Sequence, residues 1–192
     1  MTPITDITPK DILRFWFEDL SPGDHFNASN AVDATITARF GTLVEGLEAA
    51  GYPHIWEGEP ESALALVLAL DQFPRNIYRG QAGAFLLDTL GLDVAQRAIG
   101  RGFHKKVGDR AKWFLMPLMH SENLAVQDAS LPLFAEYSDS DTLAHAKAHR
   151  DQIDRFGRFP ARNAALYRDT TGAEQDYLDN GGYAAALKAY QS

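Results

Sequence analysis

The sequence predicts an all-α protein, and three observations support this fold class. Apolar residues recur at helical spacing, helix-capping patterns precede several of these segments, and no window alternates long enough for a strand. Of the 192 residues, 45% are apolar and 11% are aromatic, which is enough to bury a core and excludes a disordered chain. We therefore expect one all-α domain that spans residues 1–192.

The first half of the chain contains four predicted helices. The sequence TPKD at residues 8–11 combines a capping threonine, a proline at the first helical position and an acid at the third. Asn30 is the expected N-cap of a second helix, which Gly51 ends. Pro60 opens a segment that is apolar on nearly all sides, which predicts a central helix. A further helix is predicted over roughly 90–101.

The second half contains the remaining helices. Ser121 is the expected start of a helix that Pro132 should kink or split. Asp141 is the expected start of the next helix, and Pro160 opens a short one. The sequence TGAE at residues 171–174 is a capping-box pattern, and the last helix follows it.

The distribution of charge bears on the partners of the protein. The net charge is −8, from 18 basic and 26 acidic residues, yet the stretches 71–112 and 145–168 are basic. An acidic surface repels nucleic acid and anionic membranes, so we expect neither as a partner. Two basic stretches that meet in space would form a local anion site, whereas stretches paired with acidic neighbours would be solvated faces. The oligomeric state is left open.

The sequence shows no targeting signal, no membrane-spanning segment and no cysteine. The chain has no cysteine, its first residues lack a basic and apolar signal pattern, and its longest apolar run (63–70) is too short to span a membrane. We therefore expect a cytoplasmic protein.

A Phe-Pro and Arg-Asn motif occurs twice, at residues 71–76 and 158–163. In each copy an arginine and an asparagine follow a proline that fixes the backbone. Arginine offers a rigid fork of donors that suits a carboxylate or a phosphate. The two motifs are either recognition sites or structural corners of the fold.

Histidines provide the candidate acid and base groups. His149 falls within the apolar stripe of its predicted helix and His145 on its edge, and their spacing of four would suit two metal ligands on one helix face. The pattern H-E-x-x-H is missing, so we expect no metal site. His120 and Glu122 could form an acid/base pair. Alternatively, Ser121 would cap the following helix and Glu122 would lie in its first turn, where the helix dipole favours an acid, which would explain both residues structurally.

Arginines near a rigid turn provide the candidate anion-binding groups. Arg158 and Arg162 flank Gly157 and Pro160, and neither has an acid nearby in the sequence. Such arginines suit anion recognition better than arginines on a solvated helix. No phosphate loop, dinucleotide fingerprint or nucleophile elbow occurs in the sequence, so we expect no cofactor.

Three long motifs resemble a bacterial family of unknown function, number 924 among the domains of unknown function. They are LDQFPRNIYRG (70–80), MPLMHSENLAVQD (116–128) and HRDQIDRFGRFPARNAALYR (149–168). The resemblance implies a tetratricopeptide-like stack of about eight or nine antiparallel helices and no known activity. The family's pattern has a histidine where this chain has Ala161. The candidate positions that match the family are His120, Glu122, His149, Arg158, Arg162 and Asn163.

These observations lead to two candidate functions, a binding module and an enzyme. The first is a binding module whose groove holds a small anionic ligand or a peptide. Its candidate ligand-binding residues are Asp71, Arg75, Asn76, Arg79, Arg158, Arg162 and Asn163. The alternative is a small enzyme that acts on an anionic metabolite, with His120 or His149 as general acid/base and Glu122 to orient it. A third interpretation is a buried polar network that only pins the helices together.

Overall fold

The computed structural model describes residues 7–27 and 29–191, and within these ranges it contains helices and turns but no β-strand. The predicted all-α class is confirmed. The α-helices are α1 (Pro9–Arg14), α2 (Asn30–Ala50), α3 (Pro60–Val67), α4 (Phe73–Ile77), α5 (Asp88–Gly100), α6 (Lys112–Met119), α7 (Leu124–Tyr137), α8 (Ser140–Phe156), α9 (Gly172–Asp179) and α10 (Gly182–Lys188).

The chain forms two compact units, Met1–Phe114 and Leu115–Ser192. The boundary between them falls inside α6. The single domain over residues 1–192 stays a prediction.

Helix α3 is the centre of the first unit. Every residue from Ala63 to Leu70 is at most 1% exposed, as expected for a segment that is apolar on nearly all sides. Helices α1 and α5 both pack against α3, and α2 packs against α4. The rings of Phe15, Phe40 and Phe73 contact one another, with centroids 4.6–6.4 Å apart. The predicted central helix is confirmed.

A π turn over Leu68–Gln72 joins α3 to α4 without a break in the helix. The amide of Phe73 donates to the carbonyl of Leu68, five residues earlier. Pro74, the second residue of α4, lacks an N–H, and a proline ring clashes with the carbonyl four residues before it in a regular α-helix. The wider π turn relieves this conflict and leaves Asp71 buried within the helix.

Helices α7 and α8 form an antiparallel hairpin in the second unit. They pack against each other, and only Ser138 and Asp139 connect them. An ion pair between Arg150 Nε and Asp128 Oδ1, 2.8 Å long, crosses the hairpin. Helix α10 packs against both α8 and α9.

Three predicted helix starts are wrong by one to three residues. The side chain of Asn123 accepts from the amides of Ala125 and Val126, so Asn123 and not Ser121 caps α7. Similarly, Ser29 caps α2 in place of Asn30, and Asp139 caps α8 in place of Asp141. Each of these segments offers several capping side chains close together, and only the one with extended backbone reaches the first amides.

Two prolines also act differently from the predictions. Helix α7 continues through Pro132 and is not split. The segment that Pro160 opens is only a single 3₁₀ turn, Pro160–Arg162, which is followed by irregular turns. The other signals are confirmed, namely the caps at Thr8, Gly51 and Thr171.

Within the described parts of the chain, no helix combines the length and the apolar character needed to cross a membrane.

A matched pair of leucines tests the role of α3. Leu64 is fully buried, whereas Leu86 is 64% exposed. Leu64→Ala should reduce the free energy of unfolding by about 2–5 kcal/mol because it leaves a cavity in the core. Leu86→Ala should change it by less than about 0.5 kcal/mol. Denaturant unfolding measures both values, and equal losses would contradict a core centred on α3.

Candidate functional site

The carboxylate of Glu122 connects two segments of the second unit. It accepts from Arg168 Nη1 at 2.8 Å and Nη2 at 3.0 Å, and from the amide of Phe159 at 2.8 Å. Burial raises the pKa of Glu122, but these hydrogen bonds and the charge of Arg162 outweigh burial, so the pKa lies below its ordinary value. Glu122 precedes α7, so the predicted placement in the first turn of that helix is wrong.

A second arginine–glutamate pair holds the loop that follows α8. Arg158 donates from Nε and Nη2 to the two oxygens of Glu174, at 2.6 and 2.8 Å. Glu174 also accepts from the amide of Thr171. The Glu174 side chain is buried, and Arg158 together with the Thr171 amide holds its pKa well below the ordinary value. The guanidinium of Arg158 therefore serves the fold of the loop.

The imidazole of His149 lies among aromatic rings. Its ring centroid is 6.2 Å from that of His120, 5.3 Å from Phe159 and 4.8 Å from Tyr183. Nδ1 lies 2.8 Å from the carbonyl oxygen of His145. Because a carbonyl only accepts, Nδ1 carries the hydrogen and the lone pair is on Nε2.

Burial and, after it, the nearby positive charges lower the pKa of His149 to about 3, although the hydrogen bond to the carbonyl of His145 acts in the opposite direction. The charged groups that act on His149 are His120, His145 and Arg162. His149 is therefore neutral at pH 7, in surroundings that are basic.

Arg162 ends the 3₁₀ turn and lies beside these histidines. Its Nη2 donates to the carbonyl of His120 at 2.9 Å, and its guanidinium carbon lies 4.6 Å from the centroid of the Phe159 ring. The carbonyl and the ring fix the direction of the guanidinium, and its charge also acts on the carboxylate of Glu122. His120, His149 and Arg162, three of the predicted residues, are thus brought together.

Asn163 follows Arg162 and is 1% exposed. Its amide nitrogen donates to Thr170 Oγ1 at 3.4 Å. Its Oδ1 has no hydrogen-bond partner in the ranges that the structure describes. Asn163 therefore has spare acceptor capacity at the edge of the loop.

The predicted residues of the first unit form two separate clusters, in each of which an arginine is paired with carboxylates. Arg75 contacts Asp71 at 3.3 Å and Asp88 at 2.9 Å. Arg79 donates to both oxygens of Asp33, at 2.6 and 2.8 Å, and the amide of Asn76 donates to the same carboxylate at 2.9 Å. These carboxylates neutralise Arg75 and Arg79, and the assignment of all four predicted residues to ligand binding stays a prediction.

Sequence reasoning missed two contributors to the second unit. Arg168 holds Glu122, and the hydroxyl of Tyr183 is hydrogen-bonded to Nδ1 of His145, whose Nε2 lies 3.6 Å from Asp141. Burial raises the pKa of Tyr183, so its hydroxyl is protonated at pH 7. No local pattern marks either residue, because their partners are distant in the sequence.

Within the residues that the structure describes, no group of three or more His, Asp or Glu side chains is arranged to hold a metal ion.

Residues 12–182 match the model of a family described as bacterial protein of unknown function, DUF924. The chain belongs to this family. The resemblance of the three sequence motifs is therefore confirmed.

A solved structure that is similar to this chain supports the fold. It is described as a protein of unknown function from Agrobacterium tumefaciens, and it is 37% identical to this chain with a TM-score of 0.84. The similarity covers 90% of this chain and 97% of the other. No curated protein matches the chain.

The pairing of Glu174 predicts a specific dependence of stability on pH. A lowered pKa in the folded state stabilises the fold above the ordinary value of 4.5, and this stabilisation is lost as the pH falls toward the folded-state pKa. Glu174→Gln should therefore lower the free energy of unfolding at pH 7 and approach the wild type at pH 3. Glu136→Gln, an exposed position, should match the wild type throughout. Denaturant unfolding from pH 7 to pH 3 measures this, and a deficit that does not change with pH would contradict the pairing.

Proposed function

We propose that the second unit binds a small anion between Arg162 and His149. The observation that carries the proposal is the convergence of a guanidinium and a neutral imidazole on the ring of Phe159. The guanidinium supplies charged donors, and Nε2 of the imidazole supplies an acceptor. Within residues 7–27 and 29–191, Nε2 has no hydrogen-bond partner.

The electrostatics of this cluster favour a negative ligand. The groups that act on His149 are all basic. Arg162 and Arg168 both act on the single negative charge of Glu122, so these charged groups together carry a net positive charge. An anion placed here gains attraction to Arg162 and to either neighbouring histidine when it is protonated. Charge-assisted hydrogen bonds to a guanidinium are the strong ones among those available to a protein.

The pairing of a donor and an acceptor also restricts the class of ligand. A neutral imidazole accepts a hydrogen bond only from a ligand with an O–H or N–H group. Hydrogen phosphate, phosphate monoesters and hydroxy acids combine such a group with a negative oxygen. A short peptide that presents its carboxylate is a larger ligand that also combines a negative oxygen with N–H groups.

The sequence supports a cellular location, a type of helical fold and a class of partner for this site. We propose a cytoplasmic, tetratricopeptide-like helical module whose ligand is a small molecule or peptide. The net charge of −8 disfavours nucleic acid and anionic membranes as partners.

One observation favours the enzymatic alternative. The rings of His120 and His149 are 6.2 Å apart, close enough for a proton to pass between them through one water or a bound ligand. However, a group with a pKa of about 3 is a weak base at neutral pH. Binding is therefore the better-supported function, and catalysis would require a bound anion to raise the pKa of His149.

Arg162→Gln tests the proposal against a matched control. The variant should weaken the binding of inorganic phosphate at pH 7 by about 10-fold to 100-fold, because it removes a charge-assisted donor. Isothermal titration calorimetry measures the dissociation constant. Unchanged affinity in Arg162→Gln would contradict the site.

Arg101 provides the control because its surroundings are similar. Its Nη1 donates to the carbonyl of Glu57 at 2.5 Å, and its guanidinium lies 5.0 Å from the centroid of the Phe103 ring. Arg101→Gln should leave phosphate affinity unchanged. Equal losses in both variants would show a nonspecific effect of positive charge.

A further inference from the structure

A cavity lies among α8, α9 and α10, all within the second unit. Its volume is about 340 Å³, which falls in the range of sites for small molecules. It does not include His149 or Arg162. Its main lining residues are Arg155, Asp176, Tyr177, Asn180, Ala185 and Ala186.

Arg155 brings a positive charge to this cavity. In the part of the chain that the structure describes, Arg155 forms no ion pair. Instead its guanidinium carbon lies 4.7 Å from the ring centroid of Phe156 and 5.7 Å from that of Tyr177. The two rings restrict the side chain and leave its hydrogen-bond donors available to a ligand.

Asp176 brings a negative charge to the same cavity. Its carboxylate also forms no ion pair among the described residues, although Arg155 lines the same space. Opposite charges that share a cavity without pairing are complementary to a ligand that carries both charges.

The remaining walls are apolar or offer one more polar group. The half-buried ring of Tyr177 and the methyl groups of Ala185 and Ala186 form an apolar surface. The hydroxyl of Tyr177 is buried and has no hydrogen-bond partner within the described ranges.

We propose that this cavity binds a small zwitterion, such as a free α-amino acid with an apolar side chain. The carboxylate of the ligand pairs with Arg155 and its ammonium group with Asp176. The side chain of the ligand packs against Tyr177 and the two alanines. This site is separate from the anion site at Arg162.

Three related ligands test the proposal by calorimetry on the full chain. L-Leucine carries both charges, N-acetyl-leucine lacks the ammonium group, and leucinamide lacks the carboxylate. Leucine should bind saturably, and each derivative should bind at least about 10-fold more weakly because one ion pair is lost. The absence of saturable leucine binding, or equal binding of all three, would overturn the proposal.

Variants then assign each charge to its partner. Arg155→Gln should weaken leucine binding but leave the affinity for leucinamide unchanged, and Asp176→Asn should weaken leucine binding but leave the affinity for N-acetyl-leucine unchanged. Asp179→Asn is the control, since Asp179 is an exposed carboxylate at the end of α9 that does not line the cavity. It should bind leucine as the wild type does.

The two sites can fail independently. Arg155→Gln should retain the phosphate affinity of the wild type, and Arg162→Gln should retain its leucine affinity. If the Asp179→Asn control or Arg162→Gln loses leucine binding, leucine does not bind in this cavity and the proposal is wrong.

Discussion

The candidate anion site depends on the carboxylate of Glu122. It joins the segment after α6 to the irregular loop after α8 by binding both the guanidinium of Arg168 and the backbone amide of Phe159. His120 precedes Glu122 by two residues, and Arg162 lies in the same loop as Phe159. Fixing these two segments therefore positions the carbonyl of His120 to receive Arg162, which in turn lies beside His149.

The arginines of the second unit have different roles, and their partners explain the difference. Arg158 and Arg168 each bind a glutamate through two nitrogens, so their charges are compensated and their geometry is fixed. Arg162 binds a carbonyl, and Arg155 packs against aromatic rings. We infer that Arg158 and Arg168 hold the loop in place, whereas Arg162 and Arg155 bind the ligands proposed above.

Local parts of this structure could be predicted from the sequence, but contacts between distant residues could not. The caps at Thr8 and Thr171 were predictable because each has an acid three residues later that completes a capping box. Ser121 has no such partner and is displaced as a cap by Asn123. The pairing of Glu122 joins residues 46 positions apart, and only the packing of the helices brings them together.

The position of a bound anion tests the central claim most directly. A crystal structure of the protein with saturating phosphate should place the anion within about 3 Å of both the Arg162 guanidinium and Nε2 of His149. Crystals of the Arg162→Gln variant with saturating phosphate should lack the bound anion. Phosphate bound elsewhere in the second unit, with Arg162 and His149 both out of contact, would contradict the proposed site.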